Sequence, residues 1–583
     1  MNPNNSSSAA ITLFAIVASA IFSISCSGAK SSSTTGTTAT TTSLSSSTTT
    51  PTQGESLTLT ATVSPSAATG TVSFYDGTTS LGSGTLSSGT ATLSTSFGTT
   101  GTHSLTAEYG GSTTYASSAS SAVSVTVSSS TNGDTCGLQD SSNGADATAA
   151  DAYTGGSNTL TSPAIDVSSA NESAICAENS GTSVAVTDPT ITSSSAGSSQ
   201  NDSSFYGTDA AILAYGASSS SASGGTITVT NGTITTTGQY GNGVFASGDG
   251  ATVNLNGTTI NASGANAHGM DAAYSGTLNI ANVTATTSGA SSSVVATDRG
   301  GGTVTVTGGT FTSSGQRSAG IYSTGDITAS GSTFSAENAE AVVVEGVNSV
   351  TLKNTALTSS GGDDRGIFLY QSTSGDAGTG TATFTMNGGS ITYTCSAAAC
   401  SQGDPSNGQN NPATMFSVAN TTGVVNLTGV TVTNNVATLL TAEALNSGTW
   451  GTAGSNGGNI TFNASGTALT GNVIVDDIST AAIVISDSSS LSGEINNADT
   501  GKTVNLTLDD TSTWTVTGTS YLTSLSGLVI SGNAVSNISG NSHCVYYSGT
   551  VTSTGGISSS DTTYTLSGGG YLAPVGTSGL TCD

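Results

Sequence analysis

The chain has 583 residues and a net charge of −28, from 34 acidic and 6 basic side chains. That imbalance excludes nucleic acid and anionic membrane surfaces as partners, since both require clustered Lys and Arg. Only 7% of residues are charged but 34% are hydrophobic, enough to fill a thin core, so general disorder is excluded as well.

Residues 9–24 form an apolar run too short to span a bilayer, which reads as the central part of a signal peptide over residues 1–26. Two processing sites compete. Ala18-Ser19-Ala20 suits ordinary cleavage, and Ser23-Ile24-Ser25-Cys26 resembles a bacterial lipobox, with Ser23 where that motif usually has Leu. The chain has 7 cysteines. With Cys26 set aside, the rest fall into sequence-local pairs: Cys136 with Cys176, Cys395 with Cys400, and Cys544 with Cys582. Disulfides in an oxidising compartment and a lipidated Cys26 are therefore expected. His103, His268 and His543 are scattered and no Cys-x-x-Cys occurs, so no metal and no cofactor is expected.

Residues 27–54 are nearly pure Ser, Thr, Gly and Ala and read as a flexible tether. From residue 55 the pattern alternates with period two: Leu57, Leu59, Ala61 and Val63, then Val72 and Phe74, then Leu105, Ala107 and Tyr109, then Val123, Val125 and Val127. Short alternating strands separated by Asp76-Gly77 and Gly110-Gly111 predict a β-sandwich over residues 55–128. The stretches Gly70-Thr-Val-Ser-Phe-Tyr-Asp-Gly77 and Gly101-Thr-His-Ser-Leu-Thr-Ala-Glu-Tyr109 resemble bacterial Ig-like repeat domains, which implies a stalk. His103 is expected at the surface.

Residues 133–583 carry a repeat of about 25 residues, the signature of a solenoid. Its first strands show inward pairs Ile227/Val229, Val253/Leu255, Leu278/Ile280, Val304/Val306, Ile327/Ala329 and Val350/Leu352. Second strands follow at Ile234, Ile260, Val283, Phe311, Phe334 and Leu357. Third strands read Gly243-Val-Phe-Ala246, Gly269-Met-Asp-Ala272, Ser293-Val-Val-Ala296, Gly320-Ile-Tyr-Ser323 and Gly366-Ile-Phe-Leu369. The corner between first and second strands is expected at Asn231, Asn256, Asn282, Gly308, Gly331, Asn354 and Asn387, residue types that tolerate a left-handed backbone. The fold expected is all-β: an Ig-like sandwich, then a long right-handed parallel β-helix with three strands per coil and a cap at each end.

Residues 155–540, notably Ser490-Leu-Ser-Gly-Glu-Ile495 and Thr511-Ser-Thr-Trp-Thr-Val516, resemble autotransporter adhesin passengers and related pectin-lyase-like β-helices. That resemblance implies surface adhesion or recognition, with glycans or surface proteins as partners. The expected location is the outer membrane or cell surface, through a lipid on Cys26, or the extracellular medium. The alternatives are a polysaccharide-active enzyme and a structural spacer. Gly362-Asp363-Asp364 and Ala267-His268-Gly269 resemble polygalacturonase motifs, but their order is reversed and no Arg-x-Lys follows. After Lys30 the only cations are Arg299, Arg317, Lys353, Arg365 and Lys502. Arg317, Glu340 and Arg365 read as a surface charge cluster, Asp363, Asp364 and Arg365 as a solvated turn, and His268 as a surface residue. No residue is nominated as catalytic, and no enzyme is expected.

Overall fold

In the computed structural model of the chain, the residues described are 36–51, 56–97, 101–127, 134–138, 146–216, 224–360, 365–395, 413–445 and 451–583. Cys26, Cys400, Asp363 and Asp364 lie outside them. Among the described residues no helix is long and apolar enough to cross a membrane.

The sandwich begins earlier than its alternation suggests. Thr41–Ser46 is a strand paired antiparallel with Leu57–Ser64, so part of the expected tether is structured. Thr is a good strand residue, and Thr42 is turned inward and buried, which a composition argument overlooks. Thr90–Thr95 completes this sheet on the other side of Leu57–Ser64. A second sheet runs Thr79–Thr85, Thr71–Asp76, Gly101–Tyr109, Ser118–Ala119. Leu59, Ala61, Val63, Val72, Phe74, Leu105 and Ala107 are buried. Tyr109 is buried too and donates its hydroxyl to the Thr69 carbonyl at 2.7 Å. His103 is half-buried, stacked on Phe97 with ring centroids 4.2 Å apart, and so only partly exposed at the surface.

The rest is a parallel β-helix. First strands and, as far as Thr431–Asn434, second strands join a 24-stranded sheet, and third strands as far as Asn472–Val475 a 13-stranded sheet; from Ala468–Thr470 on, the second strands and the last third strands form a separate 9-stranded sheet. Val184, Ile227, Val253, Leu278, Val304, Ile327, Val350 and Phe384 stand in register on successive coils, all fully buried. Burying each such side chain contributes about 1.5–3 kcal/mol, and stacking is what buries them.

The register adjusts the sequence reading at three points. On the second strands the residue aligned with Ile260 and Phe311 is Ala285, and Val283 fills the corner before it. On the third strands Val295, not Val294, aligns with Met270 and Ile321. The left-handed corner column is Asn231, Gly257, Asn282, Gly308, Gly331, Asn354 and Gly388, with φ of 57°, 68°, 52°, 66°, 63°, 47° and 67°. Asn256 and Asn387 are the strand residues just before it. Asn precedes Gly along this column for a steric reason. A Cβ on Gly257 would lie 2.9 Å from Asn231 Oδ1, and one on Gly308 would lie 2.7 Å from Asn282 Oδ1.

Disulfides join Cys136 to Cys176 and Cys544 to Cys582, near the two ends of the β-helix. Cys395 is also disulfide-bonded.

Candidate functional site

Third strands differ from the others in being buried on both faces. One set of positions points into the main core. The opposite set forms its own column: Leu213, Phe245, Asp271, Ala296, Tyr322, Val343 and Phe368. The short helix Gln200–Tyr206 covers part of it. The helix is capped by the Ser199 side chain and held by Asn242 Nδ2 and Ser247 Oγ, which donate to the Ser203 and Phe205 carbonyls at 3.2 and 2.9 Å. Asp271 is thus an acid in an apolar column, fully buried, with neither carboxylate oxygen hydrogen-bonded.

Where the helix cover ends, a cleft of about 400 Å³ opens, with His268 and Asp298 on its floor. His268, Asp271 and Asp298 each bring one ligating atom within 4.8 Å of the other two. Their burial sets their charge. Burial, and then Asp298, push the Asp271 carboxyl well above the usual carboxylate range. Burial pushes Asp298 up to about 8, partly offset by the Arg299 backbone N–H, which donates to its Oδ1 at 2.8 Å. Burial lowers His268 to about 4, against the pull of the Ser293 carbonyl 3.3 Å from Nδ1. Burial thus works against the charged form of all three groups.

The cleft wall carries two arginines. Arg299 lies over the Phe205 ring at 3.9 Å and donates from Nε and Nη2 to Asp376 Oδ1 at 3.0 and 2.7 Å. Tyr322, also lining the cleft, donates to Glu345 Oε2 at 2.7 Å. Asn266, Ser291 and Arg317, which line the cleft, belong to a second corner column that Tyr240 begins; φ is 66° at Tyr240 and 53°, 53° and 55° at the other three. Left-handed backbone is uncommon for a side chain as large as Arg, and such outliers concentrate at functional sites. Arg317 is exposed and has no side-chain partner among the described residues.

Several sequence expectations change here. His268 is half-buried on the cleft floor rather than on the surface. Arg365 is only 2% exposed rather than solvated, 3.5 Å from Glu340 and 4.2 Å above the Phe368 ring. Arg317 belongs to the cleft, so the expected Arg317, Glu340, Arg365 surface cluster is divided. Lys353 is exposed on a first strand. Asp271, Asp298 and Asp376 were missed. The one available signal was an Asp in the third-strand motif at a position that other coils fill with Phe, Ala, Val or Tyr.

Residues 44–128 match the family Bacterial Ig-like domain (group 3). No curated protein and no solved structure matches the chain. The Ig-like domain and the disulfides are compatible with an extracellular or surface protein.

Proposed function

We propose that this is a surface recognition protein whose β-helix binds an acidic glycan in the cleft, displayed by the Ig-like domain and anchored through Cys26. The observation that carries the reading is the placement of charge. Two of the chain's 6 basic residues, Arg299 and Arg317, line one cleft of a protein with a net charge of −28. Asp376 neutralises Arg299, so Arg317, exposed and without a side-chain partner among the described residues, is left as the uncompensated cation. A planar guanidinium suits a sugar carboxylate, Phe205 offers an apolar ring face, and Asn201, Asn266 and Ser291 offer hydrogen bonds to hydroxyls. The resemblance to adhesin passengers and pectin-lyase-like β-helices supports the same reading.

The chain binds without turnover in this account. The competing reading, glycan cleavage, draws on one observation: Asp298, a carboxyl that burial pushes up, lines the cleft, where a general acid would stand. A glycan array probed with the full chain, followed by assays of reducing-sugar release on each glycan bound, decides between them. Binding to uronate-containing glycans without product supports recognition. Product release lost in Asp298→Asn establishes an enzyme, and no glycan binding at all overturns both.

A further inference from the structure

We propose that His268, Asp271 and Asp298 bind one borderline divalent cation of the Zn²⁺ type at the base of the cleft. The proposal does not depend on what the cleft recognises.

The geometry is close to what a metal requires. Ligands on a shared Zn²⁺ at about 2.1 Å can stand no more than about 4.2 Å apart. The three ligating atoms already lie within 4.8 Å of one another, so small side-chain rotations suffice. Asp271 supplies the independent reason. It is fully buried, and both its oxygens lack a hydrogen bond. Beyond the weakly aligned Ala272 backbone N–H, the apolar column offers such a group no donor, so its burial is left largely uncompensated. A cation between Asp271 and Asp298 removes that deficit, and two carboxylates with a neutral imidazole balance a divalent charge without residue.

The surrounding groups orient the ligands. With His268 Nδ1 donating to the Ser293 carbonyl at 3.3 Å, Nε2 is the nitrogen left to bind. The His268 backbone N–H donates to Asn242 Oδ1 at 2.6 Å, fixing where the ring starts. The Arg299 N–H on Asp298 Oδ1 does the same for that carboxylate. One nitrogen with two carboxylates suits Zn²⁺ or Mn²⁺; Ca²⁺ takes about six to eight oxygens and Mg²⁺ an octahedral set. His268 and Asp298 line the cleft, so the remaining coordination position faces it. Among the described residues a second cluster of ligand-type residues, Cys136, Cys176 and Glu178, is excluded because its sulfurs are bonded to each other.

The test uses the full chain, stripped with EDTA, re-equilibrated with Zn²⁺ and freed of excess by gel filtration. One Zn²⁺ per chain is expected by elemental analysis. Asp271→Asn and His268→Gln each weaken Zn²⁺ by about 100-fold or more in competition with a chromophoric chelator, and Asp326→Asn does not change it. X-ray absorption at the zinc edge of the wild-type chain is expected to show one imidazole among oxygen ligands. This reads the site even where a variant fails to fold. A folded wild-type chain that retains no Zn²⁺, an Asp271→Asn chain that binds as tightly, or an edge spectrum with sulfur or without imidazole overturns the proposal. Zinc binding without glycan binding sinks only the recognition reading.

Discussion

Asp271 stands directly in register with Phe245 on the preceding coil, in the outward column of the third sheet. The same backbone slot thus holds a large ring on one coil and a buried acid on the next. An acid there lowers the stability of the metal-free fold, which is the pattern of a residue kept for function. Asp271→Val should raise the stability of the EDTA-treated chain by about 1–3 kcal/mol, the usual penalty of an unsatisfied buried polar group. Urea melts with and without EDTA check this, and a destabilised variant would show that Asp271 is satisfied in some other way.

The Asn–Gly corner column makes a sharper steric prediction. Gly257→Ala places a methyl group 2.9 Å from Asn231 Oδ1, and the Asn231 side chain is held by its own bond to Asp188 Oδ1 at 3.0 Å. Gly331 has the same left-handed backbone but open space around it. Both substitutions incur the left-handed penalty of about 1–2 kcal/mol. Gly257→Ala should lose about 1 kcal/mol more, for the broken hydrogen bond. Equal losses in denaturant melts would mean that Asn231 moves aside freely.

Much of the fold could be read from sequence because stacking imposes a repeat. Each inward position of the first strands must be apolar on every coil, so the pairs from Ile227/Val229 to Val350/Leu352 identify themselves. Errors fell where two neighbours were equally apolar, as with Val294 and Val295, or where a small residue took a core slot, as Ala285 did. The cleft was hidden for a different reason. On third strands both faces are buried, so polarity no longer marks direction and nothing in the motif Gly269-Met-Asp-Ala272 set Asp271 apart. His268, Asp298, Arg317 and Asp376 come from four separate segments, and only coil stacking brings them together.

The two Arg–carboxylate pairs should differ in their effect on stability. Arg365 and Glu340 are buried, with side-chain exposures of 2% and 8%, and Arg299 and Asp376 are more open at 38% and 19%. Glu340→Gln removes the counter-charge that the buried guanidinium has among the described residues, and a loss of about 3–5 kcal/mol is expected. Asp376→Asn should lose no more than about 1 kcal/mol. Chemical denaturation of both variants measures the contrast, and a Glu340→Gln chain as stable as wild type would contradict it.

Asp209 predicts a pH dependence. It is fully buried, and burial raises it to about 8, against smaller opposing effects from Ser203 and the backbone at Asp209 and Gly197. The folded value lies above the unfolded one. The contribution is therefore fully present below about pH 4 and is lost as pH rises toward 8, because the unfolded chain ionises first. Between these limits wild type should lose up to about 1.4 kcal/mol per pH unit relative to Asp209→Asn. Melting curves of both chains from pH 4 to 9 test the sign. A wild-type stability, relative to Asp209→Asn, that stays constant or rises with pH would contradict it.

The central claim is that the cleft beside Arg317 is where this protein meets its ligand. Its most direct test is calorimetric titration of the full chain with oligogalacturonate and oligoalginate, with neutral gluco- and xylo-oligosaccharides as comparison. Wild type should bind an acidic oligosaccharide in preference to the neutral ones. Arg317→Ser, at an exposed rim position, should weaken that binding about tenfold or more while the fold is kept, since a hydrogen bond to a charged group contributes about 1.5–3 kcal/mol. Binding that is unchanged in Arg317→Ser, or a preference for neutral sugars, would contradict the account.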